Sequence, residues 1–344
     1  MMERRFGLRA IRVFITAVLV AVCGAGPAEA QVPTGVPTGL TGTVVVVNKQ
    51  ANTASFIDLA TGRIVATAPT GIGPHELLVT GDGSTAVVSD YGRGSNSLTV
   101  LDVATGSVVR TIDMSPYASP HGLDFLPGDS LVAVSSEATG NVAVVRIRDG
   151  EIISAVATDA NGSHMVAVTG DGARMYTGDG RSNTVTELVT ATGLKSRAFT
   201  VPTRPEAINV TPDGGRVFVG SNDEGLVSVV DPASGSVTTI ASGFSWPYRI
   251  YPTPGVQQII VPDNGNHDLR FFDGTTYEEL GRLEFADQGP QGLILHPDGR
   301  TLFLSLSRAD RIAVIDIETR TVTGYLPTGV SPDGIGYSAL TFGG

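Results

Sequence analysis

A short unit, proline or serine followed by a variable residue, recurs seven times at nearly constant spacing, and nothing else in the chain constrains the fold as tightly. Its occurrences are Pro74-His75, Pro120-His121, Ser163-His164, Pro205-Glu206, Pro247-Tyr248, Pro290-Gln291 and Pro332-Asp333. The first position steps by 46, 43, 42, 42, 43 and 42 residues. A period this regular means one supersecondary unit stacked on itself. Each period reads as four short strands. In the first they are Leu77 to Thr80, Ala86 to Ser89, Leu98 to Val103 and Val108 to Ile112, with Gly81-Asp82-Gly83 and Ala104-Thr105-Gly106 as hairpin turns. Glycine and aspartate recur at such turns because tight hairpins need a positive φ. The proline is expected to stand before the first strand and end the preceding one.

The two ends of the chain complete the count. Val44 to Asn48, Ser55 to Leu59 and Arg63 to Ala68 match the second, third and fourth strands of a period, and after the seventh unit only Gly334 to Leu340 remains. Three N-terminal strands and one C-terminal strand make a full unit, which closes a ring and removes exposed sheet edges. The expected fold is all-β: a seven-bladed β-propeller over residues 43–344, four antiparallel strands per blade, with the last blade shared between the termini.

Ahead of it, residues 1–30 read as a Sec-type signal peptide. Arg4, Arg5, Arg9 and Arg12 form the basic region, Val13 to Val22 the apolar one, and Ala28-Glu29-Ala30 the cleavage pattern. Residues 31–42 read as a flexible N-terminal segment. The expected location is periplasmic or secreted, with no membrane span. The single cysteine, Cys23, leaves with the signal, so no disulfide or thiolate ligand is expected in the mature protein. Removing residues 1–30 leaves a net charge of −13, which argues against nucleic acid as a partner.

Segments such as Val217-Phe218-Val219-Gly220-Ser221-Asn222 and Val227-Ser228-Val229-Val230-Asp231, with the Pro205 to Gly214 stretch, resemble the YVTN-type β-propeller repeat. The resemblance covers essentially the whole mature chain and implies the fold. It does not imply one function, since such propellers include enzymes, electron-transfer partners and binding proteins.

In a propeller the loop into each first strand opens at the mouth of the central channel. The variable position therefore forms a ring: His75, His121, His164, Glu206, Tyr248, Gln291 and Asp333. Five histidines scattered over 344 positions would place about 0.1 of one in this ring by chance, yet three consecutive blades carry one. Three imidazoles and a carboxylate suit a divalent transition metal, so His75, His121, His164 and Glu206 are the expected ligands and copper or zinc the expected ion. Glu206, Tyr248 and Arg249 are the expected catalytic groups.

Asp90, Tyr91, Glu137, Asp179, Asn222, Asp223, Asp263 and Asn264 follow second strands and are expected to surround the same mouth. Arg93, Arg181, Arg249 and Arg308 stand where they could orient an anionic substrate. His267 is a weaker ligand candidate on that face, and His296 reads as a turn residue opposite. Two functions follow. One is a metal-dependent enzyme (lyase, hydrolase or oxidoreductase) acting on a small molecule. The other is a non-enzymatic propeller whose top face recognises a protein, peptide or glycan, with the histidines merely copied by the repeat. Either is expected to be a monomer.

Overall fold

The computed structural model describes residues 39–343, together with Met1 and Met2. The expected signal peptide and most of segment 31–42 lie outside the described residues. Among the described residues, twenty-eight strands form seven four-stranded antiparallel sheets, with one 3-10 turn at Pro254–Val256. Blade 1 is Pro74–Val79, Thr85–Asp90, Ser97–Asp102 and Ser107–Asp113, innermost strand first. Blades 2 to 6 repeat that order. Blade 7 pairs the C-terminal strand Pro332–Ser338 with Thr43–Asn48, followed by Thr53–Asp58 and Arg63–Pro69. Thr43 faces Ser338 and Val46 faces Ile335, so the closure is the one the repeat count requires.

The core is divided among the blade interfaces. Seven apolar clusters lie one between each neighbouring pair. Blade 7 shows how one strand serves two of them. Alternate side chains leave a strand on opposite faces, so Val44 and Val46 pack toward blade 6 while Val45 and Val47 pack toward blade 1. All four are fully buried. A run of four valines is thus a strand buried on both faces.

One detail differs from the sequence reading, and it builds the site. The proline does not precede the inner strand but begins it, as at Pro74, Pro120, Pro205, Pro290 and Pro332. A first residue has no partner for an N–H, so proline is tolerated there. Directly after it the register slips by one residue, between Pro74 and Leu77, Pro120 and Leu123, Ser163 and Val166, Pro290 and Leu293. A β-bulge of this kind re-aims the side chain it carries, here the variable residue at the channel mouth. Gly122 follows His121 because a Cβ there would lie 2.6 Å from Val166 N in the next blade. Blade 5 departs from the pattern: its inner strand is only Tyr251–Pro252, with Pro247 joined to Asp263 by an isolated bridge. Pro247 and Pro252 supply no N–H donors, which shortens the ladder.

Among the described residues no helix is long and apolar enough to cross a membrane.

Candidate functional site at the channel mouth

The three histidines of blades 1, 2 and 3 converge. The His75 and His121 ring centroids are 4.3 Å apart, and those of His121 and His164 3.8 Å. Ser135 ties the His121 and His164 segments together: its Oγ accepts from Gly122 N at 2.8 Å and donates to the His164 carbonyl at 2.5 Å. His121 is 0% exposed, and neither of its ring nitrogens has a hydrogen-bond partner. His164 Nδ1 is also buried without one. Burial, followed by the neighbouring imidazoles, holds both rings well below the ordinary histidine range, so they are neutral. Among the described residues no group of three His, Cys, Asp or Glu side chains is arranged to hold an ion as it stands.

His75 sits in a different electrical setting. Its Nδ1 is 3.0 Å from Asp333 Oδ2 and 3.1 Å from Glu76 Oε1. Burial alone would lower its pKa, but Asp333 outweighs that and raises it. Asp333, fully buried, also accepts from Tyr248 Oη at 2.9 and 3.0 Å and faces Lys49 Nζ at 3.2 Å. Glu76 is paired with Arg249, whose guanidinium lies 4.4 Å from the Tyr248 ring centre. The ring positions of blades 5 and 7 therefore serve the ring position of blade 1. Tyr248, buried, and Arg249, half-buried, belong to this network, held by Asp333 and Glu76.

On the other side of the imidazoles is a cleft of about 160 Å³ lined by Glu137, His164, Arg181, Arg204 and Glu206 over Gly162 and Gly180. Glu206 accepts from Arg204 Nε at 3.0 Å and from Asn222 Nδ2 at 2.5 Å. Tyr91 lies edge-on to His121, centroids 4.3 Å apart, and donates its hydroxyl to Glu137. Burial and then Glu137 push the Tyr91 phenol well up, so it stays protonated.

Below the mouth runs the channel, a cavity of about 200 Å³ whose wall includes Leu77, Leu123, Val166, Ile208, Ile250, Leu293 and Ile335, one from each blade. Asp124 also lines it. Burial pushes its carboxyl up to about 7, despite the hydrogen bond it accepts from Val168 N at 2.7 Å. A carboxyl raised in this way contributes stability below pH ~4, and the contribution is lost as pH rises through about 7. Asp124→Asn is therefore expected to match the parent near pH 4 and exceed it at pH 8, by on the order of 2 kcal/mol after allowing for channel water. Urea midpoints of both proteins across that range check this; parallel curves would mean that Asp124 titrates normally.

Comparison with known proteins falls in line with this architecture. The sequence profile of the YNCE-like beta-propeller family matches residues 23–130. The chain folds as a seven-bladed propeller. It is similar to a chain of the Kuenenia stuttgartiensis hydrazine synthase structure, at 18% identity over 85% of this chain and 98% of that one, TM-score 0.71. A functionally unknown protein from Desulfotomaculum acetoxidans DSM 771 is similar at 18% identity, over 87% and 99% of the two chains, TM-score 0.71. Likeness at that level shows the fold. No curated protein matches the chain.

Within this propeller frame, six of the eight expected surrounding residues fall into two groups. Tyr91, Glu137 and Asn222 reach the mouth or its cleft. Asp90, Asp179 and Asp263 are instead fully buried and staple their own blades. Asp90 accepts from Gly71 N and Thr99, Asp179 from Ser163, Thr177 and Thr186, and Asp263 from Ser245 N and Trp246 N. Their recurrence at the end of second strands signals blade construction. His267 pairs with Asp287, 3.3 Å away, and His296 Nδ1 accepts from Asp298 N in its turn at 3.1 Å. Sequence reading did not single out Lys49, Glu76 or Arg204. Glu76 sits one residue after a ring position and Arg204 two residues before one, a signal that the period itself supplies.

Proposed function

We propose that this protein is an extracytoplasmic, metal-dependent propeller enzyme. Its channel mouth would hold one divalent transition-metal ion through His75, His121 and His164, with Glu206 as the oxygen donor. The observation that carries the reading is His121: a fully buried imidazole with two unpaired nitrogens, between two further imidazoles. Buried polar groups are nearly always hydrogen-bonded, and each orphan costs about 1–3 kcal/mol. Neutral imidazole is the form that ligates a metal; His121 and His164 already hold it, and an ion would displace the proton that Asp333 favours on His75. Three of them with a carboxylate suit zinc or copper.

The surroundings support the same reading. The carboxylates at His75 Nδ1 leave Nε2 directed elsewhere, the arrangement that orients metal-bound histidines. Tyr248 and Arg249 act in this reading by holding Asp333 and Glu76 in place. Tyr91 and Glu137 stand at the lip, where a phenol proton and a carboxylate can serve a reacting group. A bound ion would supply Lewis acidity or, if copper, redox chemistry. Zinc would direct the assignment toward elimination or hydrolysis.

The purified mature protein, loaded with zinc or copper and dialysed, is expected to retain about one ion per chain. His121→Ala is expected to retain none, with its circular dichroism unchanged. A wild-type chain that takes up neither ion would overturn the proposal. The extracytoplasmic part is tested separately by N-terminal sequencing of the exported protein, expected to begin at Gln31.

A further inference from the structure

The cleft beside His164 has a chemistry of its own, and the geometry points to a subsite for the carboxylate end of a small monoanionic substrate, gripped by Arg181 and Arg204. This rests on the reading of the mouth as an active site and adds a substrate class to it. Of the four arginines that the sequence places near the mouth, Arg93 is exposed and does not line the cleft, Arg249 is half-buried against Glu76 and Arg308 is paired with Asp287. Arg181 lines the cleft, and Arg204 joins it from the next blade.

Both side chains are available. Arg181 is 73% exposed and its contact with Glu137 is a single one at 3.4 Å. Arg204 is 53% exposed and holds Glu206 through Nε at 3.0 Å, with Asp223 at 3.5 Å from one terminal nitrogen. The guanidinium end of each pair is open to solvent, although Glu137 and Glu206 are mostly buried, and solvent weakens such pairs enough for a ligand to compete. The glycine floor lets the arginines lie close. A Cβ at Gly162, whose φ is +70°, would come within 3.2 Å of Arg181 Cγ.

Size and charge narrow the ligand. About 160 Å³ is small against the ~300–1,000 Å³ of a site that encloses a whole drug-sized molecule. The cleft therefore takes one end of a ligand and leaves the remainder over the imidazoles. A guanidinium offers paired donors that match a carboxylate. Glu137, Glu206 and Asp223 outnumber the two guanidiniums on the same rim, so the unfavourable part of the balance about doubles from a carboxylate monoanion to a phosphate dianion. The subsite thus favours the monoanion.

The test is calorimetric titration of metal-free full-length mature protein with sodium benzoate and with inorganic phosphate, at constant ionic strength. Saturable benzoate binding is expected, weakened about tenfold or more in Arg181→Ala/Arg204→Ala and unaltered in Arg308→Ala, whose guanidinium is paired with Asp287 outside the cleft. Absent benzoate binding, equal binding by the arginine variant, or tighter binding of phosphate would each overturn the inference. Because no metal is present, the outcome is separable from the metal proposal. A chain that binds benzoate but no ion keeps the subsite and loses the metal centre, and the reverse result does the opposite.

Discussion

Truncation after Ser331 is expected to leave no cooperatively folded protein. The deletion removes Pro332–Ser338, the inner strand of blade 7, and with it every ladder bond along one edge of Thr43–Asn48. That edge belongs to a strand whose six residues are all buried. Ile335 leaves the cluster shared with blade 6, and the Ser338 hydroxyl bond to the Gly83 carbonyl in blade 1, 2.7 Å long, is lost. Domains of this kind are stable by only about 5–15 kcal/mol. Opening a ring along a fully buried edge exceeds that margin and also offers the exposed strand to other chains. Thermal denaturation followed by circular dichroism should show no sigmoidal transition, and light scattering should show aggregates. The matched control ends at Leu340. It keeps the strand but loses Phe342, which packs against Phe56, and is expected to fold with a lowered Tm. A chain ending at Ser331 that melts within a few degrees of the full protein would show that the ring closes without its last strand.

Asp333→Ala is expected to cost about 3–5 kcal/mol, the scale for removing one member of a buried charge network. The carboxylate is fully buried and serves Lys49, His75 and Tyr248 together. Burial alone would raise its pKa, but the His75 ring and then the Lys49 ammonium hold it well below the usual carboxylate range. A depressed carboxyl contributes stability above pH ~4 and loses it as pH falls below that value. The variant should therefore show a large fall in its urea midpoint at pH 7 and converge on wild type in acid. Asp333→Asn, which retains an oxygen to accept from Tyr248, should lose less. An alanine variant within about 1 kcal/mol of wild type at pH 7 would mean that the buried charges relax at little cost. If the metal proposal holds, the asparagine variant also weakens ion affinity, by about 10- to 100-fold, because it releases His75 from its orienting carboxylate.

Much of the fold was legible in the chain because repetition is a local property read many times. The spacing of Pro74, Pro120, Ser163, Pro205, Pro247, Pro290 and Pro332 is visible without any tertiary contact, and the unmatched strands at the termini imply their own pairing. The strand boundaries were less legible. Proline was expected before the inner strand and instead begins it, since the bulge behind it depends on a ladder partner such as Asp90 or Ser136. The truncated inner strand of blade 5 follows from prolines that are plain in the sequence, although the Pro247–Asp263 bridge is not.

The sequence by itself determined seven blades, the shared closing blade and the ring of variable positions, because strand alternation and turn chemistry repeat every 42 residues or so. Only the tertiary structure decided which polar residues of the mouth meet. Asp90, Asp179 and Asp263 occupy ends of second strands as Ser136 and Ser221 do, yet backbone N–H groups and hydroxyls within their own blades claim them. Lys49, Glu76 and Arg249 come from three different blades, and nothing in their spacing announces that they charge the surroundings of one histidine. Electrostatic partnership depends on distance and burial across the channel, and neither quantity is written in a period.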